Sequence, residues 1–210
     1  MTPDRPVACY IVRHGVTSLN QSNSFRGNAN PPLVPQGIKE AQRLAKMFED
    51  IDISHIFCSP KQRSVKTAEI IAGAKDVPVH QSEALSALDV GEFSGQKRTP
   101  ETEAALQRYL DAPQITIPGG ESLAAFQARI RPCLNEALQL YQQCGAPPML
   151  VAHSSVVHEV GALTKGSHKS VLVEPGGVVA VYYSPATQKL DAEPVYKPFK
   201  SPRSQAETIT

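Results

Sequence analysis

Short apolar runs that stop abruptly at charged or reactive side chains limit the folds available to this chain. The run from Val7 to Val12 is too short for a helix and rich in β-forming residues, so it predicts a buried strand. Arg13 and His14 follow it directly, and a loop rich in Asn, Ser, Gly and Pro continues to about Val34. Continuously apolar strands of this kind are typical of parallel sheets that are covered on both faces.

Helical patterns separate this run from further short strands. Strands are predicted near Ile56 to Cys58, Val77 to Val79, Met149 to Ala152, Val178 to Tyr183 and Lys189 to Val195. Helices are predicted after Pro35, from Ser59-Pro60 to about Gly73, from about Pro100 to Asp111, from Ser122 to about Gln143 and from about Val156 to Thr164. The alternation predicts an α/β protein, a three-layer α/β/α sandwich with a mostly parallel central sheet.

The predicted elements end near residue 195, and the composition changes beyond it. We expect a single domain over residues 1–195. Pro, Lys, Ser and Thr dominate after Tyr196, so residues 196–210 are predicted to form a flexible tail.

The composition excludes several classes of protein. Of the 210 residues, 41% are hydrophobic, enough for a core that needs neither disulfide nor metal. The net charge of +1 argues against a nucleic-acid binder, which usually carries a basic excess. The 4 cysteines are scattered, the N-terminus has no signal-peptide core, and no run approaches a membrane span. We expect a cytoplasmic protein without cofactor and without nucleic-acid or membrane partners; a homodimer is left open.

The predicted strands end in side chains that suit one kind of ligand. Arg13 and His14 follow the first strand, Ser59 to Arg63 follow the second, and His153 follows the fourth. The carboxyl ends of parallel strands meet at one edge of a sheet, where such folds bind ligands. Arginine forks match phosphoryl oxygens, and an imidazole kept neutral by positive neighbours can attack phosphorus. The N-terminus of the helix predicted from Ser59 would add its dipole.

The residues around these strand ends resemble a known family. The segment Arg13-His14-Gly15-Val16-Thr17-Ser18-Leu19-Asn20 is similar to the RHGxTxxN signature of the histidine phosphatase superfamily, which has the phosphoglycerate mutase-like fold. The resemblance spans roughly residues 7–185 and includes Ser59-Pro60-Lys61-Gln62-Arg63, Gly119-Gly120-Glu121-Ser122 with Arg129, and Val151-Ala152-His153-Ser154. It implies a small phosphorylated substrate and no metal.

The resemblance implies a role for each matching residue. His14 would be the nucleophile that forms a phosphohistidine, and His153 would be catalytic and bind phosphate. Arg13, Arg63 and Asn20 would bind the phosphoryl oxygens, while Arg26 and Ser154 would contact the rest of the substrate. Glu121 is predicted to act as a charge at the N-terminus of the following helix.

One departure from the family pattern concerns the proton donor. The family carries a glutamate in a segment resembling LxExxxGxxxG, and here Ala87 stands at that position. Loss of a proton donor costs about 10²–10⁴ in rate for an ordinary alkoxide leaving group. Asp89, which we favour, or Glu92 would replace the donor, although Asp89 is equally suited to a turn role. Otherwise the leaving group hardly needs protonation, as in an acyl phosphate, anhydride or phosphoramidate, or the protein is a weak catalyst or a binder.

Three functions follow from this pattern. The leading prediction is a metal-independent phosphatase, a phosphoric monoester hydrolase that acts through phospho-His14. The second is a mutase. Relatives of that kind usually have a longer insertion before the Gly119-Gly120 segment, whereas here the chain between Gly95 and Gly119 is too short to form an extra lid that excludes water. The third is a pseudophosphatase that binds phosphorylated ligands, for which Ala87 is the best support.

Overall fold

A single six-stranded sheet forms the centre of the computed structural model, which describes residues 5–73, 75 and 77–198. The strands are β1 (Val7–Arg13), β2 (Ile56–Cys58), β3 (Val79–Gln81), β4 (Met149–Ala152), β5 (Val178–Ser184) and β6 (Lys189–Tyr196), in the order β3-β2-β4-β1-β5-β6. The pairs β3-β2, β2-β4 and β4-β1 are parallel, while β1-β5 and β5-β6 are antiparallel. The mostly parallel sheet is thus confirmed.

Helices cover both faces of this sheet. They are α1 (Ser18–Gln21), α2 (Pro35–Met47), α3 (Gln62–Ala72), α4 (Pro100–Asp111), α5 (Leu123–Cys144) and α6 (Ser154–Lys165). Successive strand residues face opposite layers, so Ile11 packs in one apolar core with Phe126 and Val157. Its neighbour Val12 packs in the other core with Leu44 of α2. The three-layer α/β/α architecture is confirmed.

The helix ends follow local sequence signals in several places. Pro35 occupies the first turn of α2, where its missing N–H costs nothing. Ser122 caps α5 by accepting a hydrogen bond from the Ala125 N–H at 3.1 Å. Gly145 ends α5 in the left-handed conformation with φ of 78°. No helix within the described ranges has the length and apolar character needed to cross a bilayer.

Other boundaries differ from the prediction. Helix α3 begins at Gln62 with Lys61 as its N-cap, so Ser59 is not the cap that the sequence suggested. Strand β3 begins at Val79, two positions later than expected, because Val79 is the residue paired with Ile56. Helix α6 begins at Ser154, directly after β4, and β6 extends to Tyr196. The tail predicted for residues 196–210 lies outside the described residues from 199 onward.

Candidate active site

His14 lies at the carboxyl end of β1 and is fully buried. Its ring Nδ1 is 2.7 Å from the carbonyl oxygen of Gly15, and its Nε2 accepts a hydrogen bond from Arg63 Nε at 3.2 Å. A guanidinium can only donate, so Nε2 carries the lone pair and Nδ1 carries the proton. In this tautomer of His14, Nε2 is therefore the nitrogen with a lone pair that can act as a nucleophile.

A tight turn after β1 holds this imidazole in place. A Cβ atom at Gly15 would lie 2.6 Å from the carbonyl oxygen of Gly37, so only glycine fits where the turn crosses α2. The Gly15 N–H donates to the hydroxyl of Thr67 at 3.2 Å, and that hydroxyl donates to the Arg63 carbonyl at 2.7 Å. The turn that carries His14 and the first turn of α3 are thus connected through one hydroxyl.

Arg63 is the central cation of the site. Its side chain is fully buried, and it contacts both catalytic candidates: Nε donates to His14, and Nη2 lies 3.4 Å from Nδ1 of His153. Nη1 donates to the carbonyl oxygen of Ala29 at 2.7 Å, which fixes the plane of the guanidinium. Burial lowers the pKa of Arg63 to about 10, so it stays charged at neutral pH.

His153 follows β4 and faces the same cation. Because Arg63 donates toward its Nδ1, its Nε2 carries the proton and donates to the hydroxyl of Ser59 at 2.9 Å. The ring centroids of His14 and His153 are 5.2 Å apart. His153 is also the N-cap of α6, so the positive end of that helix dipole lies beside the ring.

Burial and the positive charge of this cluster both disfavour protonation of the two histidines. Burial lowers the pKa of His14 well below its usual range, and the neighbouring His153 and Arg63 lower it further. Burial likewise lowers the pKa of His153, with Arg63 as the next cause. Both shifts favour the neutral imidazole, which keeps the Nε2 lone pair of His14 available.

The structure places the other predicted phosphate and substrate residues around an adjoining cavity of about 630 Å³. Arg13, Asn20, Arg26 and Ser154 all line it. Arg26 Nη2 is 3.4 Å from the Ser154 hydroxyl, whereas Arg13 Nη1 donates to the Val173 carbonyl at 2.6 Å. The side-chain oxygen of Asn20 accepts from the Thr17 N–H at 3.0 Å and from its hydroxyl at 2.8 Å, so this oxygen organises the loop.

A second cavity, of about 440 Å³, is lined by His153. It shares Arg26, Arg98, Ser154 and His158 with the first cavity. Ala87, the position of the absent glutamate, lies in its wall. Ala87 and His153 therefore line the same cavity.

Asp89 does not line either of these two cavities. Its carboxylate accepts a hydrogen bond from the Gly91 N–H at 3.1 Å, which is the turn role weighed above. A Cβ at Gly91, where φ is 50°, would lie 2.0 Å from the Pro118 carbonyl oxygen, so this turn is closely packed. Glu92 is exposed. These positions favour a structural role for Asp89, and its role as proton donor stays a prediction.

The sequence did not indicate that a clamp holds the segment around Ala87. Arg129 Nη2 lies 2.6 Å from the Glu121 carboxylate and donates to the Ala87 carbonyl at 2.9 Å. Arg129 Nη1 donates to the carbonyl of Ser86 at 2.9 Å. Glu121 also accepts the Asp89 N–H at 2.9 Å, so its role is to bind this loop, not to act as a simple charge at a helix end. The signal in the sequence for this clamp was a pair of opposite charges: Glu121 in the Gly119-Gly120-Glu121-Ser122 segment, and Arg129 on the helix that follows it.

Ser59 is a second residue whose role the sequence did not indicate. Its N–H donates to the Val151 carbonyl at 3.1 Å, which continues the β2-β4 ladder and directs the hydroxyl at His153. The hydroxyl therefore orients the imidazole, and α3 starts later. Within the part of the chain that the structure describes, no three His, Cys, Asp or Glu side chains are grouped as metal ligands would be.

Comparison with known proteins agrees with this geometry. The family model of the histidine phosphatase superfamily (branch 1) matches residues 9–184. The chain belongs to this superfamily. It is 33% identical over 148 residues to a Proteus mirabilis (strain HI4320) protein named "Probable phosphoglycerate mutase GpmB", a match that covers 69% of this chain and 68% of the relative.

Solved members of the superfamily share the fold. A mycobacterial glucosyl-3-phosphoglycerate phosphatase in complex with VO3 superposes with a TM-score of 0.75 at 20% identity, covering 90% of this chain and 98% of that chain. Phosphoglycerate mutase from Bacillus anthracis str. Sterne has a TM-score of 0.75 at 22% identity, with 89% and 91% covered. The phosphoglycerate mutase-like fold is therefore confirmed, and the superfamily supports an enzyme of phosphatase or mutase type.

Proposed function

We propose that this chain is a metal-independent phosphatase that hydrolyses small phosphorylated substrates through a phosphohistidine on His14. The observation that carries the proposal is the buried, neutral His14, whose Nε2 lone pair meets the guanidinium of Arg63. A nucleophile and a guanidinium able to bind phosphoryl oxygens would thereby be held together before substrate binds. The phosphoryl group would displace the direct His14–Arg63 contact and take its oxygens to Arg63, Arg13 and His153.

In the first step, Nε2 of His14 attacks phosphorus. The P–N bond forms, the P–O bond to the leaving group breaks, and the electron pair departs on that oxygen. Nδ1 keeps its proton and donates it to the Gly15 carbonyl, which stabilises the positive charge that develops on the ring. Arg63 and the protonated Nε2 edge of His153, which is oriented by Ser59, lie on the phosphoryl side.

In the second step, water replaces the enzyme at phosphorus. The water oxygen bonds to phosphorus, the P–N bond breaks, and its electron pair returns to Nε2 of His14. Both water protons leave with the product as dihydrogen phosphate, so His14 regains its starting tautomer. The open cavity of about 630 Å³ beside Arg13 and Ser154 supports access of water to this intermediate.

Two other functions have specific support. The name of the relatives favours a mutase that returns the phosphoryl group to an organic acceptor. Against it, α4 occupies most of the segment between Gly95 and Gly119, which leaves little chain for an added lid. Ala87 favours a pseudophosphatase, although a pure binder would not need the proton arrangement of His14.

Labelling of the nucleophile tests the proposed function. The protein is mixed with radiolabelled acetyl phosphate, quenched in alkali, and assayed for acid-labile, base-stable label. We expect label in the wild type and in His80→Ala, which changes an exposed histidine on β3, and none in His14→Ala. An unlabelled wild type that binds phosphate would support the pseudophosphatase.

A chase of the labelled protein separates phosphatase from mutase. The phosphatase releases label as inorganic phosphate whether or not 3-phosphoglycerate is present. Label that moves mainly into a bisphosphoglycerate would overturn the proposal in favour of the mutase.

A further inference from the structure

The wall around Ala87 points to the chemical class of the substrate. Arg129 binds the Ala87 carbonyl, and Glu121 binds Arg129, so the loop is held firmly although its side chain is a methyl group. Ala87 lines the cavity of about 440 Å³ that also contains His153 and Ser155. Hydrogen bonds thus hold this part of the cavity wall in place, but the Ala87 side chain has no proton to donate.

Four carboxylates in or near this cavity are hydrogen-bonded to other groups of the protein. Asp89 accepts the Gly91 N–H, and Glu121 pairs with Arg129. Glu103 pairs with Arg98 at 3.3 Å, and Asp111 accepts from Gln107 at 2.8 Å. Each of these four carboxylates is therefore held by a protein group, and none of them stands at position 87.

Much of the lining of the same cavity is apolar. Large hydrophobic side chains contribute to it, among them Leu106, Leu110, Leu123, Phe126 and Leu172. Leu172 is 54% exposed, so an apolar group lying over it would remove part of that surface from water.

We infer that the substrates of His14 are phosphates whose leaving group departs as a stable anion and carries an apolar body, and that acyl phosphates are the preferred class. This inference rests on the proposed function. For an acyl phosphate, His14 Nε2 bonds to phosphorus and the P–O bond breaks with its electron pair on a carboxylate. No proton is needed, because a carboxylic acid has a pKa of about 4 and a phenol one of about 10, both far below that of an alcohol. Water then releases dihydrogen phosphate from His14 as before.

A leaving-group series tests the inference. We measure kcat/KM for benzoyl phosphate, aryl phosphates of increasing phenol basicity and 3-phenylpropyl phosphate. The expected result is a steep decline along the series, with the alkyl ester about 10²–10⁴ below the acyl phosphate beyond their difference in uncatalysed reactivity. Equal corrected rates for all members would overturn the inference.

The Ala87→Glu variant supplies the absent donor and sharpens this test. It should raise kcat/KM for the alkyl ester by about 10-fold or more and change that for benzoyl phosphate by less than about 3-fold. Ala84→Glu places the same group at another half-buried position of the loop and should raise neither. An unchanged alkyl-ester rate in a folded Ala87→Glu protein would contradict the inference.

Leu172→Asn tests the apolar body. It should lower kcat/KM for benzoyl phosphate by about 5-fold or more and leave acetyl phosphate unchanged, since only the larger substrate reaches this side chain. Leu163→Asn, at a leucine that is 42% exposed and lines a different cavity, is the control and should affect neither substrate. Equal effects of the Leu172 variant on both substrates would contradict the apolar subsite.

Failure of the inference and failure of the proposed function give different results. If every phosphate in the series labels His14 at similar corrected rates, the phosphatase stands and the substrate class is wrong. If none labels His14, the proposed function is wrong and the inference falls with it.

Discussion

Hydrogen-bonded arginines hold both sides of the cleft, but the two sides carry different functional groups. On the phosphoryl side, Arg63 joins His14 and His153 through direct hydrogen bonds within a buried cluster. On the proposed leaving-group side, Arg129 and Glu121 also hold the loop through hydrogen bonds, but at position 87 the loop presents only the methyl group of Ala87. In the proposed mechanism, phosphoryl binding and proton delivery would therefore depend on separate parts of the fold.

The largest effect is expected from His14→Ala. Loss of the nucleophile should reduce kcat for acetyl phosphate by about 10⁴-fold or more. The variant should still fold, because the apolar cores on both faces of the sheet are unchanged, and circular dichroism with thermal melting checks this. Substantial turnover by the folded variant would show that the phosphoryl side does not work through His14.

Arg63→Met should have the next largest effect. Loss of this buried donor is expected to cost about 10²–10³ in kcat/KM. It should also raise the pKa of His14, since the charge of Arg63 is one cause of its depression, and ¹⁵N NMR titration of the ring measures this. Arg43→Met, at an exposed arginine on α2, should change neither quantity. If the pKa of His14 does not shift, Arg63 does not act electrostatically on His14 and the two residues do not form one cluster.

Arg129→Ala tests the opposite side of the cleft. It removes donors to the carbonyls of Ser86 and Ala87 and leaves Glu121 without its cation. The free energy of unfolding should fall by about 1–3 kcal/mol in a denaturant titration. The affinity for inorganic phosphate should change by less than about 2-fold, and a large loss would show that the two sides are coupled. Arg108→Ala, at an exposed position on α4, is the control for stability.

The smallest effect concerns His158, which lines both cavities. Burial, with Arg13 as the next cause, lowers its pKa to about 4. The unfolded chain therefore binds a proton at about pH 6.5 that the folded chain refuses until about pH 4, so stability falls as the pH decreases through this window. The slope should be smaller in His158→Gln by up to about 1.4 kcal/mol per pH unit. Parallel slopes in urea titrations of the two proteins would refute the assignment.

Much of the fold followed from local signals in the sequence. The apolar run before Arg13 and the helical spacing after Pro35 gave the right element types, because burial on both faces and amphipathic packing leave periodic patterns. The β3 and α3 starts were wrong by about two residues, since pairing with the neighbouring strand decides them and propensity does not.

For the candidate site, the sequence indicated which residues lie close together but not which hydrogen bonds they form. The ends of β1, β2 and β4 do bring His14, Arg63 and His153 together, as expected for parallel strands. The same reasoning left Asp89 open between a turn and an acid, because a carboxylate near two glycines suits both. Its bond to the Gly91 N–H became visible only when the packed turn against Pro118 was known.

The sequence by itself determined the alternation of strands and helices, the family and the absence of a glutamate at Ala87. Only the tertiary structure decided that Ser59 orients His153, that Glu121 and Arg129 clamp the loop, and that an apolar cavity lies beside Ala87. The physical reason is distance along the chain: periodicity and caps depend on neighbours within a few residues. Hydrogen-bond partners and cavity walls instead depend on residues that only the packed sheet and helices bring together.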